Sequence, residues 1–370
     1  MVCDLPRTGA NARLRAVKIP SITLKWALAL VALALAIFSV DWLWFGGAFR
    51  SVRSGFSGHC RAIALGGSSE YLQLDRERGL AYLSFLDRDS LERGEAVNGT
   101  VMLLDLNLAD PAPRAAMTFD PGNFRPQALS LFKRGSEPAR LLAISRHPDG
   151  SYSIEIAEQG SSGGFFPKEA IRDPAFISPS AIAASGAREF YLANDNTNSG
   201  AWAKVKEAVF RSGSATLIYY DGARARIEAS GLDRIGGIAT SPDASRLYVA
   251  EPLAKALRIY RRNPANGALA LEEIVELDSA PAGLDVDEDG VVWIAAHPRL
   301  FRLGKRDAAS LAPTQVLRFD PRQAAKARLT QVYLNDGDEI SGGTVAARWR
   351  DEFLIGALFD EKVLICKPNP

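Results

Sequence analysis

Few side chains in this chain could do chemistry. Its 370 residues include three His and three Cys, so a four-cysteine zinc site is impossible, and no Cys/His pairing has metal-ligand spacing. His147 and His297 each precede a proline, in RHPD and AAHP. An imidazole there is either a general base or the polar residue of a turn. Asn194 and Asp195, in LANDN, set an amide beside a carboxylate, and the same pair also suits a turn that caps a strand. Gly160-Ser161-Ser162-Gly163-Gly164 matches a nucleophile elbow by letters but lacks the strand-to-helix turn that motif needs. Asn98-Gly99-Thr100 fits a glycosylation acceptor and, equally, a hairpin turn.

The elements that must carry these residues are short. With 47% hydrophobic and 24% charged residues, the chain is an ordinary globular one, long enough to bury a large core. Lys plus Arg total 44 against 43 for Asp plus Glu. That balance leaves no electrostatic footprint for DNA or RNA, so no nucleic-acid partner is expected. From about residue 60 a polar turn followed by an aromatic or branched strand recurs. It reads RERGLAYLS, EPARLLAIS, GAREFYLAN, DASRLYVAE, EDGVVWIAA and WRDEFLIGA. A hairpin phrase returning every ~45–60 residues predicts an all-β fold, a six-bladed β-propeller over residues 60–370 with roughly 51 residues per blade. One helix is expected within it, around Trp202 to Phe210 (WAKVKEAVF).

Ahead of the repeats, residues 26–45 form a transmembrane anchor by composition. Trp26 to Val40 is uncharged, and Trp42, Leu43, Trp44 and Phe45 extend it past Asp41. At ~1.5 Å per residue the run spans a bilayer core of ~30 Å. Residues 1–25 carry Arg7, Arg13, Arg15, Lys18 and Lys25 against Asp4. The positive-inside rule keeps this tail in the cytoplasm and sends the linker (46–59) and propeller to the periplasm or exterior. The competing reading is a cleaved signal peptide. Cys60 precedes the first repeat and Cys366 ends the last strand. A closed propeller brings its chain ends together in one blade, so these two are expected to form a disulfide outside the cytoplasm. Cys3 stays a free thiol.

Several segments occur in a telling order: FYLAND from Phe190, IYYDGARARIEASGL from Ile218, IATSPDASRLYVAEPLAKALRIY from Ile238, VWIAAHP from Val292 and the closing TQVYLNDGDEISGGTVAARWRDEFLIGALFDEKVLIC. Together they resemble the paraoxonase/arylesterase family across nearly all of residues 58–366. The resemblance implies ester and lactone hydrolysis with calcium in the central cavity, where the ion polarises the carbonyl and stabilises the oxyanion. It also implies which residues stand at the ligand positions. Glu70 matches the catalytic-calcium Glu, whereas Tyr71 replaces the Asp that holds a second, buried calcium. Ser180 and Ala181 stand for an Asn-Asp pair, Gly236 for an Asn, and Ala282 and Gly283 for an Asp-Asn pair. Gln127 occupies the position of the proposed catalytic His.

Calcium takes six to eight oxygens. With Glu70 as a remnant ligand, no bound calcium or other cofactor is expected. A Glu on an inner strand without a metal must be hydrated, hydrogen-bonded or protonated, and a carboxyl of raised pKa is a competent general base. The resulting expectation is a weak or metal-independent hydrolase of small esters or lactones, with catalytic candidates Glu70, His297, Asp195, Asn194, His147 and Gln127. The alternative is a non-catalytic propeller that binds a small molecule or a protein.

Overall fold

A computed structural model describes residues 21–95, 97, 99–117, 124–196, 213–303 and 311–369. The helix expected around Trp202 to Phe210 lies outside these residues, as do Cys3, Asn98 and the tail before residue 21. The chain divides into two units, Met1–Phe49 and Arg50–Pro370. The first contains α1 (Ser21–Phe45), the described helix long and apolar enough to cross a membrane, with a span of Lys25–Phe45. Most of its described apolar side chains are exposed, among them Trp26 at 69%, Leu43 at 43% and Trp44 at 72%. A helix hydrophobic all round has no reason to remain in water.

The second unit is built almost wholly of antiparallel strands. After β1 (Gly58–Ala64), the chain makes β2 (Leu72–Asp75), β3 (Leu80–Phe85), the short helix α2 (Arg88–Glu92), β4 (Thr100–Asp105) and β5 (Arg114–Met117). The second meander is β6 (Pro126–Phe132), β7 (Arg140–Arg146), β8 (Tyr152–Gln159) and β9 (Phe165–Ile171). The third is β10 (Pro179–Ala184), β11 (Glu189–Asn194), β12 (Ala215–Asp221) and β13 (Ala225–Leu232). The fourth is β14 (Gly237–Thr240), β15 (Arg246–Glu251), β16 (Ala256–Arg262) and β17 (Leu269–Glu276). The fifth is β18 (Ala280–Val286), β19 (Val292–His297), β20 (Thr314–Phe319) and β21 (Leu329–Asn335). Last come β22 (Gly343–Trp349), β23 (Glu352–Ala357) and β24 (Lys362–Pro368), whose outer edge β1 completes. One bridge, Met117 to Phe165, links the outer edges of the first two meanders.

The first strand of each meander packs against the first strands of its neighbours, which closes a ring of blades, the architecture of a propeller. Burial explains why the recurrent phrases were visible. They are β3, β7, β11, β15, β19 and β23, the second strand of every blade, and β19 is buried along its whole length. Outer strands such as β13 are half-buried or exposed along most of their length, so their patterning is weaker. The seam is covalent: Cys60 faces Cys366 in the β1–β24 register, and the two form a disulfide across 306 residues of sequence.

Candidate active site

Four of the inner strands carry a register shift close to their first residues. The shifts fall between Pro126 and Leu129, Pro179 and Ala181, Pro281 and Leu284, and Gly343 and Val345. The residues left out of the ladder are therefore Gln127 with Ala128, Ser180, Ala282 with Gly283, and Thr344. A bulge bends its strand and re-aims a side chain, and such bulges gather beside active sites. The backbone device for presenting groups at this mouth of the ring is in place. The groups themselves are small or neutral.

Glu70 and Tyr71 lead into β2. The Glu70 carboxylate is paired with the Arg88 guanidinium, and Thr344 Oγ1 donates to the Glu70 carbonyl at 2.7 Å. Arg88 opens α2, whose N-terminus is capped by Asp87 accepting from the Ser90 amide at 3.0 Å. The cap fixes the helix and so aims the guanidinium. Arg88 Nε is buried and has no hydrogen-bond partner among the described residues, leaving one charged donor unused beside the carboxylate. Tyr71, 3% exposed, crosses from the first blade towards the fourth, where its hydroxyl donates to the Gly236 carbonyl at 3.2 Å. Burial, then the Glu70 charge, pushes this phenol well above its ordinary range, so it stays a neutral donor.

The positions that the resemblance matches to calcium ligands are engaged within the ring. The Ser180 hydroxyl is directed to the Ile235 carbonyl at 3.0 Å. Glu70 already has a cation beside it, whose charge opposes a second. The glycines at the expected ligand positions admit the neighbouring blades instead. A Cβ on Gly236 would lie 3.1 Å from the Pro281 carbonyl oxygen, and one on Gly283 would lie 2.5 Å from that of Thr344. Among the described residues, no three His, Cys, Asp or Glu come together in a way that could hold a metal.

Among the described residues, no hydrogen bond joins the other candidates to Glu70. Asn194 is buried with its amide engaged: Oδ1 accepts from the Ile177 and Ser178 amides, and Nδ2 donates to the Ala175 carbonyl at 2.9 Å. Asp195 forms a bidentate pair with Arg234, at 2.8 to 3.0 Å. His147 sits in the turn after β7, where its amide donates to the Ser151 carbonyl at 2.9 Å and its Nε2 meets Ser153 Oγ at 2.8 Å. The Ser161 carbonyl accepts from Arg78 at 3.0 Å, in a turn between β8 and β9 rather than a strand-to-helix elbow. Gln127 lies half-buried at the β6 bulge. Arg88 is the residue that sequence reasoning missed. Nothing local marks it except the helix cap before it, because its partner lies in another turn of the same blade.

His297 is 3% exposed, and neither ring nitrogen has a hydrogen-bond partner among the described residues. Burial alone draws its pKa down to about 4. In the unfolded chain an imidazole titrates near ~6.5, so between these values the unfolded state binds the extra proton. Stability should therefore be complete above ~6.5 and fall as the pH drops towards the folded value, by roughly 3 kcal/mol in all. Urea midpoints between pH 4 and 7 should show this slope, and His297→Leu should flatten it. An unchanged slope in the variant would place the titration elsewhere.

Solved structures share this fold. A luciferin-regenerating enzyme aligns with a TM-score of 0.51 at 14% identity, covering 84% of this chain and 95% of that one. A PQQ-bound aldose sugar dehydrogenase from Streptomyces coelicolor aligns with a TM-score of 0.51 at 15% identity, covering 85% and 99%. The class is thus a β-propeller. Within that class the chain belongs to the arylesterase family, whose model matches residues 89–367. Serum paraoxonase/arylesterase 1 of Rattus norvegicus is 30% identical over 274 residues, 72% of this chain and 76% of that protein. The Homo sapiens protein of the same name is 28% identical over 275 residues, 73% and 77%. Serum paraoxonase/arylesterase 2 of Homo sapiens is 27% identical over 274 residues, again 73% and 77%. Family membership supports an esterase- or lactonase-like function. The apolar helix and the disulfide mark a membrane-anchored or secreted protein.

Proposed function

We propose that this protein is a membrane-anchored, extracytoplasmic hydrolase of small esters or lactones that works slowly and without calcium. The observation that carries this is the Glu70–Arg88 pair at the start of β2, with Arg88 Nε left as an unused buried donor. In this reading Glu70 takes a proton from water as the water oxygen attacks the carbonyl carbon. Arg88 stabilises the developing oxyanion, and the proton passes from Glu70 to the leaving alkoxide as the acyl–oxygen bond breaks. An Arg donor supplies less stabilisation than a metal ion acting as a Lewis acid, hence the slow rate. The second reading, a propeller that only binds, is favoured by Tyr71 crossing the ring beside the same carboxylate.

Hydrolysis of phenyl acetate and of a simple lactone by the full chain in detergent separates the two. Turnover that survives EDTA and is lost in Glu70→Gln supports the hydrolase. Absence of turnover in the unaltered protein leaves the binding reading. Chelator-sensitive turnover with calcium uptake by calorimetry would overturn the metal-free mechanism. The anchor has its own test: a reporter fused after Arg50 is expected to be exported, and cytoplasmic reporter activity would refute the topology.

A further inference from the structure

The inner strands end at the opposite mouth of the ring, and there the molecule has a cavity of about 400 Å³. Its walls are the last residues of β2, β6, β10, β14 and β18 with the turns that follow them. That volume falls in the range of small-molecule sites. Five carboxylates line it, Asp75, Glu77, Asp285, Asp287 and Glu288, against two basic groups, Arg76 and Lys133.

The charges are grouped in a repeated way. Lys133 is shared by Asp75 and Glu77. Arg76 is shared by Asp285 and Glu288. Arg348, next to the cavity, is shared by Asp287 and Asp289. The Lys133 and Arg76 clusters each have two carboxylates for one cation and so retain one negative charge, whereas Arg322 also acts on Asp287 and Asp289. A concave low-dielectric wall concentrates the resulting field. Asp285 is 5% exposed, and burial raises its carboxyl pKa even with Arg76 beside it. A second cation there would relieve that cost. Ser185, 7% exposed, lines the same cavity, and its hydroxyl has no hydrogen-bond partner among the described residues. A buried hydroxyl without a partner is rare enough to call for a missing one.

We propose that this mouth binds a small organic cation bearing one or more protonated amines, with Asp285 and Ser185 receiving an ammonium and the rim carboxylates attracting the rest. An ammonium fits better than a divalent metal. The carboxylates are spread around the mouth, and no three of them among the described residues gather closely enough to hold an ion. The site is at the other end of the ring from Glu70, so it stands or falls independently of the hydrolase reading.

The test is calorimetric titration of the full chain in detergent with spermidine, and with glycerol as a neutral control. Saturable binding of spermidine, weakened at least tenfold by Asp285→Asn, several-fold by Ser185→Ala and by raised salt, is expected. Because Asp285→Asn disturbs a buried ion pair, the exposed double variant Glu77→Lys/Glu288→Lys gives a second readout that should also lose binding. Glu70→Gln should leave it unchanged. No saturable binding, equal binding of glycerol, or binding indifferent to both the buried and the rim variants would overturn the proposal.

Discussion

Gly283→Ala should destabilise the ring by about 3 kcal/mol or more, although it adds one methyl group. The added carbon would lie 2.5 Å from the Thr344 carbonyl oxygen and 3.1 Å from Val345 Cβ, so the first obstacle is backbone and cannot rotate away. Gly237→Ala should act in the same way, with the Ala282 carbonyl oxygen at 2.6 Å and the Gly283 Cα at 2.8 Å. Gly290 is the control. Its φ is +78° and nothing lies within 4 Å of a Cβ there, so Gly290→Ala should cost only the ~1 kcal/mol of an unfavourable backbone conformation. Melting of the full chain by near-ultraviolet circular dichroism would compare the three. If Gly283→Ala melts with the unaltered protein, the blades are not in closing contact at this mouth. The same geometry bears on metal binding. An asparagine returned to position 283 would meet Thr344 before it could reach an ion, so calcium affinity should not be recoverable by that single replacement.

The second large effect concerns the seam. Removing the Cys60–Cys366 bond by a Cys60→Ala/Cys366→Ala double variant frees a closed loop spanning 306 residues of sequence. Chain-entropy reasoning assigns such a loop about 5 kcal/mol, or roughly 10 °C of melting temperature for a domain this large. Non-reducing peptide mapping should recover the cross-linked pair, and the double variant should keep its far-ultraviolet spectrum while melting earlier. Free thiols at both positions, or an unchanged melting temperature, would contradict this. Because β1 remains hydrogen-bonded to β24 from Gly58 to Ala64, the variant should still close its ring, only less firmly.

The blades were legible because the second strand of each is buried and framed by turn residues. GAREFYLAN and EDGVVWIAA announce β11 and β19 by their apolar content alone. The pairing of the two cysteines was legible for a topological reason, since a ring must join its ends. What eluded the sequence was contact across the ring. Tyr71 reads as a lost aspartate, and nothing in its neighbours says that its hydroxyl reaches Gly236, 165 residues away. Gly236 and Gly283 likewise read as lost ligands, whereas each is the place where one blade's backbone meets the next. His147 and Asn194 read equally as catalytic groups or as turn residues. Their hydrogen bonds in the folded chain are those of turn residues, a distinction carried by partners that spacing does not specify.

The seam also has a consequence for synthesis. The first strand of the ring to leave the ribosome, β1, has as its hydrogen-bonded partner the last one made, β24. Until β24 is made, β1 is an edge with no neighbour, and the earlier blades form an open arc whose two ends expose strand backbone. Such edges invite pairing with other chains. A transcript cut short by even one strand would leave that edge permanently bare and Cys60 without its partner. The nascent chain therefore carries its own check on ring closure, a cysteine on β1 that is oxidised in register only once β24 has been made.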